Sequence, residues 1–275
     1  MKNIQLYSAR LGTAIMGAIV LGGLILTAPL SMANAADNDF DAGWTHYQEG
    51  MFTQALEIWE PLAKAGDAQA QFNLSVLYEQ GRGVDADPAK ARYWNDQAVT
   101  SGYPPALHNK ALGLLAEKRE QDALALLKTS AEQDFSASLY TLGKIHQLAL
   151  GVDENPAMAF KYVSRAAADG FTRAQYNLGK MYRDGYGTEA DETASAEWFE
   201  AAANQGYAKA QNRISDRYAA GQGVAQDDVQ ALKWAILASQ GGIEGAIQKE
   251  AFLRDRMNAD HIAAAEKQAA KFNPN

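Results

Sequence analysis

The stretch TRAQYNLGKMYRDGYGTEADETASAEWFEAAANQGY, residues 172–207, sets the pattern of most of the chain. The same pattern returns 36 residues later as AKAQNRISDRYAAGQGVAQDDVQALKWAILASQGGI, and it precedes the stretch by 36 residues as SASLYTLGKIHQLALGVDENPAMAFKYVSRAAADGF. A glycine closes each unit at a fixed position, as Gly66, Gly102, Gly170, Gly206 and Gly242. A fixed period of this length is typical of repeat arrays, in which each unit packs on its neighbours.

Each unit is predicted to form two helices joined by a glycine loop. In residues 68–103, Ala70, Leu74 and Tyr78 lie on one helical stripe, and Gly81 can end that helix in a left-handed conformation. Acidic or amide side chains then occupy the N-cap position of the second helix, as Asp87, Asn155, Asp191 and Asp227. Large side chains recur at one position inside that second helix, as Ile58, Trp94, Leu126, Tyr162, Trp198 and Trp234. We expect the aromatic ones, Trp94, Tyr162, Trp198 and Trp234, in the core.

The units arrange the chain as an all-α solenoid of stacked helix–turn–helix repeats. We expect a linker at residues 37–40, a helix pair within 36–67, and two capping helices in 244–275. The unit at 104–135 is shorter by four residues and should turn tightly around residues 118–121. The repeat array therefore comprises residues 68–103, 104–135, 136–171, 172–207 and 208–243. Small rotations between stacked pairs predict a right-handed superhelix with a concave face.

The repeated residues resemble the Sel1-like repeat, a relative of the tetratricopeptide repeat. The resemblance rests on alanine, Leu-Gly, tyrosine, Gly-x-Gly, aspartate and tryptophan at fixed spacing, as Ala174, Leu178-Gly179, Tyr182, Gly185-Tyr186-Gly187, Asp191 and Trp198. It implies a scaffold that binds other proteins. A cysteine-rich branch of such proteins is associated with β-lactamase-like activity, but this chain has no cysteine.

The N-terminus is predicted to be a signal peptide. Lys2 and Arg10 precede an uncharged run at residues 11–30, and Ala33 and Ala35 form a small-x-small cleavage pattern. We predict cleavage after Ala35 or Ala36, which would place the protein in the periplasm or outside the cell. A run of 20 residues is also long enough to span a bilayer as an uncleaved anchor of a regulatory protein.

The charge balance excludes some partners. The formal net charge is −8, and residues 36–275 are more acidic still because both charges before them are positive. Such a surface repels phosphate backbones, so nucleic acid is not expected as a partner. We expect a protein or peptide partner, a monomeric chain, and contact with a membrane only through the signal peptide.

No catalytic, cofactor or metal site is predicted. The Gly-x-Gly loops follow helices, and none continues into a phosphate-binding motif. His46, His108, His146 and His261 are scattered, without the spacing of a metal-binding pair. The alternative function, a hydrolase acting on β-lactams or cell-wall amides, would need a nucleophile and base that the sequence does not reveal.

One surface is predicted to bind the partner. By analogy with tetratricopeptide arrays, first-helix residues away from the leucine and tyrosine positions line the concave face. This projection selects Tyr140, Lys144, Arg173, Tyr176, Lys180 and Arg183, with Lys209 in register with Arg173. Tyrosine and arginine are favoured at interfaces, and arginine can fork onto a carboxylate. We therefore expect a groove for an acidic peptide segment.

Overall fold

The computed structural model describes residues 35–274, with side chains from Phe40 onward. These residues form fourteen helices and no strand, so the all-α repeat fold is confirmed. The helices, in chain order, are α1 (Ala35–Gln48), α2 (Phe52–Lys64), α3 (Ala68–Gln80), α4 (Pro88–Thr100), α5 (Pro104–Ala116), α6 (Glu120–Ala131), α7 (Ser136–Leu148), α8 (Pro156–Ala168), α9 (Thr172–Asp184), α10 (Glu192–Asn204), α11 (Ala208–Ala220), α12 (Asp228–Gln240), α13 (Glu244–Arg256) and α14 (Ala259–Ala270). The described residues divide into two compact units, one up to Ser138 and one from Leu139 onward.

The start of the described region corrects one expectation. Residues 37–40 are not a linker, because they belong to α1, which includes Ala35. The predicted signal peptide, apart from Ala35, lies outside the described residues. Within residues 35–274, no helix combines the length and the apolar character needed to cross a bilayer.

The predicted caps hold the second helices at their starts. Asp191 Oδ1 accepts a hydrogen bond from the backbone nitrogen of Ala194 at 2.9 Å, and Asn155 Oδ1 accepts one from Met158 at 2.9 Å. Asp87 and Asp227 each accept two such bonds. The carboxylates at these positions are therefore explained by unpaired N–H groups at the helix ends.

The second glycine of each Gly-x-Gly loop contacts the preceding repeat. A Cβ on Gly187 would overlap the carbonyl oxygen of Pro156, and one on Gly223 would overlap that of Glu192. Both contacts are with the first residue of a second helix, α8 or α10. Gly83 similarly lies against Phe52, at the start of α2, where a Cβ would lie 2.5 Å from the backbone carbon. The loops are thus packing contacts between adjacent hairpins.

In the compact unit that ends at Ser138, the core is centred on the indole ring of Trp59. Trp59 is fully buried, and its Nε1 donates to the backbone oxygen of Phe40 at 3.3 Å. The ring of Phe40 stacks on it at 5.6 Å, and Trp44 and Tyr47 pack beside it. Ile58, which holds the repeated position of the large side chains, is only partly buried, so the deepest side chain lies one position further along the helix.

In the compact unit that begins at Leu139, the deepest side chain is again one position beyond the repeated large side chain. Phe199 is fully buried, whereas its neighbour Trp198, which we expected in the core, is only partly buried. Gly179 makes room for this ring, since a Cβ there would lie 2.9 Å from Phe199 Cδ1. Trp94 is also only partly buried, whereas Trp234 is 1% exposed as expected.

Local backbone and capping features shape the short repeat and the C-terminal helices. Lys118 takes a positive φ of 61° in the tight turn between α5 and α6. At the other end, Asn258 Oδ1 accepts from the backbone nitrogen of His261 at 2.9 Å and starts α14. Phe272, which follows the last helix, packs edge-on against Trp234 with ring centroids 5.6 Å apart, and Ala265 and Ala269 of α14 belong to the same buried cluster.

Candidate partner-binding face

The structure places the predicted binding residues on neighbouring first helices of the second unit. Tyr140 and Lys144 belong to α7, and the other four belong to α9. Asn177 of α9 joins the two helices, because its Nδ2 donates to the Tyr140 hydroxyl at 3.0 Å. The six residues thus occupy one side of two adjacent hairpins.

Tyr140 does not present its ring to a partner as expected. Its side chain is 9% exposed and packs against Phe171, with ring centroids 5.5 Å apart. Burial raises the pKa of Tyr140 to about 12; Tyr207 contributes in the same direction, while Arg173 and the hydrogen bond from Asn177 oppose it. Tyr140 therefore packs beneath the surface residues of the face.

Tyr176 is partly buried between two other rings. Its centroid lies 5.6 Å from that of Phe199 and 5.2 Å from that of Tyr207. Burial raises the pKa of Tyr207, and the Tyr176 phenol adds to this effect. Tyr207 was not selected from the sequence, although it occupies the same repeat position as Phe171.

The two lysines of the face lie near each other, and neither makes an ion pair with a carboxylate in the described part of the chain. Lys144 Nζ donates to Gln147 Oε1 at 2.6 Å, and neither Lys144 nor Lys180 forms an ion pair within residues 35–274. Burial lowers the pKa of Lys144, and the charge of Lys180 lowers it further. The fold therefore holds two ammonium groups together without neutralising them.

Arg183 is already held by its neighbour in the chain. Its Nε and Nη2 donate to the two carboxylate oxygens of Asp184 at 2.7 and 2.9 Å. The pKa of Asp184 is lowered first by this hydrogen bonding and also by the charges of Lys180 and Arg213. One carboxylate thus lies among three cations.

The next first helix extends the positive surface. Arg213 of α11 lies close enough to affect Asp184, and Arg217 of the same helix is affected by the charge of Arg183. We call Lys144, Lys180, Arg183 and Arg213 the basic face. Lys209, which is in register with Arg173, is exposed. Arg213 and Arg217 were not identified from the sequence, because the preceding repeat has no arginine at the equivalent positions.

A glutamine position that the sequence analysis overlooked connects consecutive hairpins. Nε2 of Gln175 donates to the backbone oxygen of Ala167 at 3.3 Å, and Nε2 of Gln211 donates to that of Ala203 at 3.3 Å. Gln71 makes the same contact to Ala63 at 3.1 Å. The recurring Ala-Gln pair at these positions was the available signal. These bonds satisfy carbonyls at helix C-termini and fix the spacing of the face.

Two of the histidines, His146 and His108, pack against aromatic rings. His146 stacks on Tyr162 with the rings 14° apart in orientation, and His108 is buried edge-on against Phe135. Burial lowers the pKa of His108 to about 4, opposed by a hydrogen bond with Asn109. Among the residues that the structure describes, no three potential metal-binding side chains are grouped.

Comparison with solved structures supports the repeat fold. A crystal structure of a Sel1 repeat protein from Oxalobacter formigenes aligns over 85% of this chain and 100% of its own, with 22% identity and a TM-score of 0.70. The protective antigen c5321 of uropathogenic Escherichia coli, described as displaying an SLR fold, aligns over 86% of this chain and 60% of its own, with 23% identity and a TM-score of 0.53. The immunity protein Pa5087 of Pseudomonas aeruginosa aligns over 77% and 83%, with 19% identity and a TM-score of 0.52.

Comparison with protein families identifies the repeat itself. No curated protein matches the chain at a significant level. The Sel1 repeat profile matches residues 68–103, 136–171, 172–207 and 208–243, which together make up more than half of the chain. Sel1 repeats generally mediate protein–protein interactions. The matched residues coincide with the hairpins α3–α4, α7–α8, α9–α10 and α11–α12. The chain therefore belongs to the Sel1 repeat family.

Proposed function

We propose that this protein is an exported scaffold that binds an acidic segment of a partner protein on the basic face. The observation that carries the proposal is the excess of cations on the basic face of a chain of net charge −8: Lys144 lies near Lys180 without an ion pair, and the one carboxylate of Asp184 is shared among Lys180, Arg183 and Arg213. A partly buried ammonium group beside a like charge destabilises the fold. An incoming carboxylate would relieve this repulsion.

The neighbouring residues support a preformed surface. Asn177 ties α7 to α9, and Gln211 ties α11 to the end of α10. Tyr140 and Tyr176 are packed against other rings and not free to rotate. Side chains held in this way lose little conformational freedom when a partner binds, which favours affinity.

The test uses two matched double variants of the full chain. Lys144→Glu with Lys180→Glu reverses the two unpaired charges, and Lys161→Glu with Lys267→Glu makes the same change in net charge at exposed positions on α8 and α14. Partners are crosslinked in the native cell and identified, and each variant is checked for folding by circular dichroism. We expect the first variant to lose partner recovery by about tenfold or more, because charge pairs at interfaces contribute strongly.

The control variant should recover the partner as well as the wild type does. Binding by the wild type should also weaken between 0.05 and 0.5 M added salt, conditions that shorten the Debye length from roughly 14 Å to about 4 Å. Equal recovery with both double variants would contradict the proposal.

Export is a separate part of the proposal. Its support is the charged start, the uncharged run at residues 11–30 and the Ala33-x-Ala35 pattern. Sequencing the N-terminus of the mature protein decides between cleavage after Ala35 or Ala36 and a retained anchor. We also propose that the chain acts as a monomer, and light scattering of the mature protein tests this.

A further inference from the structure

A small cleft lies at one end of the basic face. Its volume is about 150 Å³, and its walls come from α9, α10, α11 and the loop that follows α11: Arg183, Phe199, Arg213, Asp216, Arg217 and Gln222. One water molecule occupies about 30 Å³ in the liquid, and drug-sized ligands need roughly 300 Å³ or more. The cleft is thus suited to a single small group, such as a carboxylate with its nearest methylenes.

Arg217 is the fixed cation of this cleft. Its side chain is buried, its Nη2 donates to Ser195 Oγ at 3.1 Å, and its Nη1 pairs with Glu192. The guanidinium also lies over the ring of Phe199, 5.9 Å from the centroid. Burial lowers the pKa of Arg217, and the positive charge of Arg183 lowers it further. Two guanidinium groups are therefore held close enough to repel.

Arg213 is the cation with unused donors. Its Nη1 is 3.9 Å from Asp216 Oδ2, which is too long for a hydrogen bond, and its guanidinium donates none within the described part of the chain. The other oxygen of Asp216 pairs with Lys249 of α13. Asp216 is thus shared between two cations and leaves the guanidinium of Arg213 free to fork onto another acceptor.

Arg183 also keeps one terminal nitrogen available. Its Nε and Nη2 face Asp184, and its Nη1 makes no hydrogen bond within residues 35–274. The network as a whole contains more positive than negative groups. Its cations are Lys180, Arg183, Arg213, Arg217 and Lys249, and its carboxylates are Asp184, Glu192 and Asp216. An added carboxylate would reduce this excess of positive charge.

We propose that this cleft binds one carboxylate of the partner segment, received by Arg213 and Arg183 while Arg217 supplies fixed positive charge. The inference rests on the proposed function and adds a specific recognition element to it. The carboxylate has two possible sources, the C-terminus of the partner and an aspartate or glutamate side chain.

The experiment uses three N-acetylated hexapeptides of alanine, glycine and serine as probes. One has a free C-terminal carboxylate, one is amidated and contains a single glutamate, and one is amidated without any acid. Each is titrated into the ¹⁵N-labelled mature protein while the Nε–Hε signals of the arginines are followed by NMR. We expect at least one acidic peptide to shift the signals of Arg213 and Arg183, and the peptide that does so identifies the source.

The variant for this test is Arg213→Gln, because Arg213 lies at the surface, whereas replacing Arg217 would break the ion pair of Glu192. Its matched control is Arg256→Gln, an exposed arginine of α13 that lies over Phe252. We expect Arg213→Gln to weaken binding of the acidic peptide by about tenfold, as for the loss of a charge-assisted bidentate contact, and Arg256→Gln to leave it unchanged.

Two results would overturn the assignment: equal shifts with the peptide that has no acid, or wild-type affinity in Arg213→Gln. The proposed function is judged separately, through the crosslinking of Lys144→Glu with Lys180→Glu, neither of which lines the cleft. A partner lost in that variant but retained by Arg213→Gln would reject the cleft and keep the scaffold.

Discussion

Gly223 approaches the carbonyl oxygen of Glu192 so closely that a side-chain carbon at position 223 would overlap it. Gly223 also has a φ of +73°. We expect Gly223→Ala to lower the free energy of unfolding by about 3 kcal/mol, the sum of roughly 1 kcal/mol for the left-handed backbone and about 2 kcal/mol for the overlap. Chemical denaturation of the mature protein measures this.

Gly242→Ala is the control for the Gly223 experiment. Gly242 has a similar φ of +76°, but no atom lies within 4 Å of the position its Cβ would take. This substitution should cost only about 1 kcal/mol. If both variants lose the same stability, the backbone contact between hairpins is not what requires glycine in these loops.

Ala149 occupies the position that glycine holds in the other loops, and its φ is +54°. Ala149→Gly should therefore raise the free energy of unfolding by about 0.5–1 kcal/mol, because the strain of the left-handed conformation exceeds the added entropy of the unfolded chain. In Ala168→Gly, at the end of α8, we expect a loss of stability of up to about 1 kcal/mol. Thermal denaturation of both variants gives the comparison, and a destabilised Ala149→Gly would contradict it.

His108 should make stability depend on pH. Burial lowers its pKa from 6.5 to about 4. As the pH falls, this histidine is therefore protonated below about pH 6.5 in the unfolded chain but only below about pH 4 in the folded chain. The free energy of unfolding therefore falls as pH decreases through this window, by about 2 kcal/mol from this residue between pH 7 and pH 5. Denaturant titrations at the two pH values measure the fall.

Comparison of two histidine variants isolates this effect from the carboxylates, which also titrate in acid. His108→Gln should lose less stability than the wild type between pH 7 and pH 5, whereas the exposed His261→Gln should behave like the wild type. An unchanged pH dependence in His108→Gln would show that this histidine is not the group responsible.

Lys144 is expected to reduce stability in return for a binding surface. Lys144→Met should raise the free energy of unfolding by about 0.5–1 kcal/mol, because it removes a partly buried charge that lies near the charge of Lys180 and forms no ion pair. Lys161→Met, at an exposed position of α8, should change it by less than about 0.5 kcal/mol. Denaturation measures both, and a loss of stability in Lys144→Met would argue that its bond to Gln147 matters more than its charge.

The positions of the helices could be predicted from the period alone. The first helix of residues 68–103 was expected to end at Gly81 and does, and the side chain of Asp191 was expected to cap a second helix and does. Both features depend on local chemistry, namely apolar spacing, glycine and capping side chains. The residues that produce such signals lie close in sequence to the helix ends that they determine.

The deepest core position and the bonds between units could not be predicted in the same way. Adjacent helix residues differ by about 100° in direction, so a column of tryptophans indicates an apolar side without saying which of two neighbours faces inward. Phe199 lies in the core and Trp198 at its margin because Gly179 opens a space for the former. The partners of Arg217 belong to the previous repeat, and these contacts produce no recurring pattern in the sequence from which they could be predicted.

The glycine contacts described above bear on how the array changes length during evolution. Gly187 lies against Pro156 and Gly223 against Glu192, and in both cases the atoms involved belong to the main chain. A junction built from main-chain atoms does not depend on which side chains each block brings. Duplication or loss of a whole 36-residue block that carries the Gly-x-Gly loop would therefore keep this main-chain contact, and the blocks could diverge afterwards in the side chains that select a partner.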